Sequence, residues 1–169
     1  MARLGVHFVL TDEQRAKLLA LETDSDRLDY LQEDIEQAWD ADNLHEIDKA
    51  WYAIHRCLTG PQAFEWPDVD DEAGTYPLNV CFFGGTSLYN QPESAINLIE
   101  PGPLHDLVSA LVPLDRAWFD KAFTEFCRGC WPDDGDDGRE YAWEYFQSLK
   151  SFLAQNDGKG RSLIFTVNF

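Results

Sequence analysis

This sequence predicts an α+β fold: a small sheet that includes strands from both ends of the chain, packed against several helices. Three patterns predict it. Residues 4–10 alternate, with Val6, Phe8 and Leu10 on one face. Residues 161–169 alternate again, with Leu163, Phe165 and Val167 opposed to Ser162, Ile164 and Thr166. Between these ends, apolar residues recur mostly at helical spacing. Strands at both termini and helices between them point to one sheet in which the terminal strands pair.

The elements follow in order. Thr11, Asp12, Glu13 and Gln14 form a capping box, so a helix starts near Asp12. Asp24 or Ser25 is the expected cap of a second helix with Leu28, Leu31, Ile35 and Trp39 on one side. A third helix is expected over 48–60, where Ile47, Trp51, Ile54 and Leu58 make one stripe and Gly60-Pro61 makes the exit. Residues 60–77 are rich in Pro, Gly and acid and read as a loop. Residues 78–83 read as a short buried strand ended by Gly84-Gly85, and residues 95–99 as another extended piece. Pro101, Gly102 and Pro103 turn the chain into a helix bearing Leu104, Leu107, Val108 and Leu111, which Pro113 breaks. Asp115 caps the next, with Trp118, Phe119, Ala122, Phe123 and Phe126 inward. After an acidic loop at 133–138, Tyr145, Phe146, Leu149, Phe152 and Leu153 mark a long helix that stops near Asp157-Gly158. There is no internal repeat and no dividing linker, so a single domain over 1–169 is expected.

A chain of 169 residues with 44% hydrophobic and 14% aromatic content can bury a sizeable core. Its formal net charge of −18 opposes nucleic acid and anionic membrane surfaces. A basic protein partner suits that charge. No apolar run approaches the ~20 residues needed to span a bilayer, and the first residues lack a signal-peptide core. A cytoplasmic location is therefore expected, with Cys57, Cys81, Cys127 and Cys130 reduced.

Candidate chemistry is sparse. On a helical wheel Asp48 and His55 share one flank of the apolar stripe, beside Trp51. Seven residues separate them, about 10.5 Å along a helix, so they cannot form a direct hydrogen-bonded pair. His55 is expected to finish the flank of a core helix. Its second role would be to line a pocket with Asp48, Trp51 and Tyr52, where this helix meets the Gly84-Gly85 turn.

Cys127 and Cys130 form a lone CxxC without the further ligands of a zinc site. Residues 133–144 match a calcium loop only in part: Gly135 and Glu140 stand where the pattern needs a ligand and an apolar residue. Glu65, Asp68, Asp70, Asp71 and Glu72 surround Trp66, a combination that could steer and anchor a basic protein surface. Gly84-Gly85-Thr86-Ser87 lacks the lysine of a phosphate-binding loop. No catalytic triad elbow, zinc-protease motif or dinucleotide fingerprint is present. No catalytic residue, metal ligand or cofactor is assigned, and the reading leans away from an enzyme.

The Asp48-Lys49-Ala50-Trp51 run, followed by Ile54-His55 and Leu58-Thr59-Gly60, resembles the signature of the YfbM-like family of small bacterial proteins, domain of unknown function 1877. Phe83-Gly84-Gly85 resembles that family's glycine pair, and 141–156 with the closing strand resembles its C-terminal end. The resemblance implies an α+β fold but no agreed substrate, cofactor or catalytic residue. The expected function is an acidic protein-binding module of immunity or antitoxin type. The alternative is a small-molecule-binding protein or an enzyme with its pocket beside the helix at 48–60.

Overall fold

The computed structural model describes residues 4–60, 74–91, 94–129 and 134–168. Five antiparallel strands form its sheet: β1 (Gly5–Val9), β2 (Leu44–Asp48), β3 (Thr86–Gln91), β4 (Ser94–Ile99) and β5 (Leu163–Asn168). Their spatial order is β2-β1-β5-β4-β3. The two terminal strands pair directly, Gly5 opposite Val167 and Val9 opposite Leu163, as their alternation predicts. The last strand is thus the centre of the sheet.

Alternation sends side chains to two apolar layers. Val6, Phe8, Leu10, Ile96, Leu98 and Ile164 pack against α1 (Asp12–Ala20), α2 (Asp24–Tyr30) and a π-helical stretch (Leu31–Glu36), which contribute Leu18, Tyr30, Leu31 and Ile35. Val9, Ala95, Ile99, Leu163, Phe165 and Val167 face the other helices. These are α3 (Ala50–Thr59), α4 (Pro101–Leu111), α5 (Arg116–Phe126) and α6 (Asp136–Asn156). The central strands are buried on both faces, so the sheet is the middle of three layers.

Local signals fix the helix ends. Thr11 accepts from the Gln14 backbone at 3.1 Å while the Gln14 side chain accepts from the Thr11 backbone at 2.8 Å, which completes the capping box. The Asp115 carboxylate accepts from the Trp118 backbone N–H at 2.9 Å and starts α5. Gly60, at φ 81°, ends α3.

Several sequence expectations are corrected. Thr23, rather than Asp24 or Ser25, caps α2, because its hydroxyl accepts from the Asp26 backbone N–H. The helix expected from residue 48 begins at Ala50; Asp48 ends edge strand β2 and turns the corner at φ 48°. Residues 78–81 form a 3-10 turn instead of a strand. Pro101 is already helical, as a proline in the first turn can be. Trp39 leaves the stripe of Leu31 and Ile35: the helical stretch ends at Glu36, and Trp39, beyond it at φ 37°, stands 47% exposed. Among the described residues, no helix is long and apolar enough to cross a membrane.

Candidate functional site

The family-like stretch lies where β2 turns into α3. Asp48 is half-buried there, in a left-handed backbone conformation that few non-glycine residues adopt. The Tyr141 hydroxyl of α6 donates to the Asp48 carboxylate at 2.8 Å and accepts from the Lys49 backbone N–H at 3.3 Å. One tyrosine therefore clamps both residues of the corner. Burial, and then the Asp48 carboxylate, push the Tyr141 phenol above its ordinary range. No local pattern marks this contact, because 93 positions separate the partners.

The other candidates point elsewhere. Trp51 is 2% exposed and packs edge-on to Phe83, with ring centroids 5.8 Å apart. His55 is 1% exposed, inside the core and not on its flank. Its ring meets Phe83 at 5.0 Å and Phe82 at 5.7 Å, both edge-to-face. These two phenylalanines follow the 3-10 turn and fold over α3. Burial, with a smaller repulsion from Arg56, lowers the His55 pKa to about 3. Its Nδ1 has no hydrogen-bond partner among the described residues. Tyr52 is half-buried, and its hydroxyl accepts from the Arg56 guanidinium at 3.4 Å.

Gly84 and Gly85 serve close approach. A Cβ on Gly84 would lie 2.6 Å from the Asn79 side chain, and one on Gly85 only 2.2 Å from the Leu98 carbonyl oxygen. The pair lets the chain after Phe83 pass against β4. Of the six candidates, Asp48 bonds to α6, Trp51 and His55 join the aromatic layer beneath Phe82 and Phe83, Tyr52 meets Arg56, and Gly84 and Gly85 lie against Asn79 and Leu98.

That layer holds a second histidine, which the sequence reading did not single out. His7 of β1 is fully buried, with Nε2 2.8 Å from the Cys81 carbonyl oxygen and its ring 5.6 Å from that of Phe82. Burial lowers its pKa to about 3 as well. The strand alternation could have found it, since His7 shares a face with Gly5 and Val9. Asn97 lies two strands across, paired with the Phe165 that also pairs with His7. Its side-chain amide is buried without a partner among the described residues.

A groove of about 350 Å³ runs between Val112, Leu114, Asp115 and Arg116 and the α6 residues Trp143, Gln147, Lys150 and Ser151. Its cations are engaged: Arg116 bonds to Asp120 and Glu140, and Lys150 donates to the Leu114 carbonyl oxygen at 2.7 Å. The proposed partner surface of Glu65, Trp66, Asp68, Asp70, Asp71 and Glu72 lies outside the described residues, as do Cys130 and Asp133. Asp136 belongs to the first turn of α6 and pairs with Arg139 at 2.9 Å. No group of three metal-ligating side chains occurs among the described residues.

A different surface carries the charge. Eleven acids lie between Asp12 and Asp42, against three cations, Arg15, Lys17 and Arg27. All three cations are paired, with Glu100, Asp34 and Asp24 respectively. Ten of the eleven acids are exposed on the outer side of the α1–α2 layer. Trp39 stands among them, its edge on the Phe8 ring at 6.1 Å. Beside it is a hollow of about 80 Å³ lined in part by Phe8, Gln14, Ile35 and Asp40.

Fold and corner together define an α+β domain whose sheet is centred on its paired terminal strands and whose strand-to-helix corner is clamped from the C-terminal helix. The chain belongs to the family described as a domain of unknown function, DUF1877, whose model matches residues 1–166. It is similar in structure to YfbM from Escherichia coli, a protein of unknown function. The TM-score is 0.70 at 20% identity, over 97% of this chain and 99% of that one. No curated protein matches.

Proposed function

We propose that this protein is an acidic protein-binding module that holds a basic partner, in the manner of an immunity protein or antitoxin. The observation that carries the reading is Trp39, a half-exposed aromatic residue in a stretch of ten exposed acids and three paired cations. An exposed tryptophan beside a hollow is the type of group that anchors a partner, and surrounding charge speeds and selects the encounter. The pocket reading draws less support, since Asp48 and His55 engage different neighbours.

Affinity capture from native cytoplasm, at low and then moderate salt, tests the reading with wild type and Trp39→Ala side by side. One reproducible partner, released by moderate salt and at least tenfold weaker on the folded Trp39→Ala variant, is expected. Finding no reproducible partner at either salt overturns the reading.

A further inference from the structure

We infer that Cys57 and Cys127 form an oxidation-sensitive modification site that can cross-link α3 to the end of α5. Their sulfurs lie 3.7 Å apart. Cys127 also donates to the Ala53 carbonyl oxygen at 3.4 Å, so its sulfur is seated over the single turn of α3 that runs from Ala53 to Cys57. Neither cysteine is in a disulfide, and both are buried. Burial pushes the thiol of the third described cysteine, Cys81, far above its ordinary value and leaves it a poor nucleophile.

Cys127 is the residue through which reagent enters. It caps α5, its backbone N–H bonded back to Phe123 at 2.9 Å, and the next two residues, Arg128 and Gly129, are exposed. Opening this last turn brings the sulfur to solvent without disturbing the sheet. With a hydroperoxide as oxidant, the Cys127 thiolate attacks the O–O bond. It becomes a sulfenic acid, and the distal oxygen leaves as water after protonation. Cys57 then attacks the sulfenic sulfur, the S–S bond forms, and a second water departs. The two thiols lose two electrons and two protons, and the peroxide is reduced to two waters. The sulfurs must close from contact to the ~2.05 Å of a disulfide, a side-chain adjustment rather than a rearrangement of helices.

The full chain, treated with hydrogen peroxide under native conditions, alkylated and digested without reductant, tests the inference by mass spectrometry. A peptide pair joining Cys57 to Cys127, reversed by dithiothreitol, is expected, with Cys81 still a thiol. On Cys57→Ser, the Cys127 sulfenic acid should persist long enough to be trapped by dimedone. A bond from Cys127 to Cys130, or thiols that all remain unreacted, overturns it. Far-ultraviolet circular dichroism before and after treatment keeps a local reaction distinct from unfolding.

Discussion

His7 and His55 meet around the ring of Phe82, one from the sheet and one from α3, and neither Nδ1 has a partner among the described residues. A charged imidazolium is costly in such a place, so burial holds both pKa values near 3 against an ordinary 6.5. Between those values the unfolded chain binds protons that the folded chain does not. Stability therefore falls as the pH drops from about 7 towards 3, and the loss is absent above the unfolded-state value. At pH 5.5 the two residues together should cost roughly 2–3 kcal/mol. Urea unfolding at pH 7.5 and 5.5 measures this. His55→Phe, which keeps a ring against Phe83, should remove about half of the difference. An identical pH difference in that variant would show that His55 is not buried as described.

The turn after Phe83 is positioned by glycine, and two substitutions separate close approach from ordinary helix propensity. Gly85→Ala sets a methyl 2.2 Å from the Leu98 carbonyl oxygen and should cost about 2–3 kcal/mol. Gly102→Ala, in the first turn of α4 with no atom near its Cβ position, should be neutral or stabilise by up to about 1 kcal/mol. Thermal melting of both variants checks the contrast, and equal effects would contradict it. This turn also shows what was legible in sequence. The terminal strands alternate and the Thr11 and Asp115 caps are local, so each could be read from its own residues. Strands β2 and β3 could not. They lie at the sheet edges, and β3 is mostly polar, so no alternating stripe marks it. Residues 80–83 of the run at 78–83 are buried as predicted, yet burial alone does not distinguish a strand from a 3-10 turn. The corner at Asp48 was hidden for the same reason: the stripe of Ile47, Trp51, Ile54 and Leu58 is buried whether its first member is helical or extended. His55 was thereby assigned to a flank, although the Phe82 and Phe83 rings that enclose it come from a distant part of the chain.

At the scale of the whole molecule, composition revealed the net charge of −18 but not its placement. The three-layer arrangement puts α1, α2 and the π-helical stretch outermost on one side of the sheet. Their acids consequently share a surface, and the end of the helical stretch at Glu36 leaves Trp39 exposed. The acids around Trp66, which the sequence also marks as a partner surface, lie outside the described residues. The α1–α2 face is proposed to meet a basic protein. Zero-length carbodiimide cross-linking of the captured complex tests this most directly, because it joins carboxylates only to amines already in contact. Bonds from partner lysines to acids within 12–42, Glu33 and Asp34 among them, are expected. Cross-links confined to the α4–α6 side would contradict it.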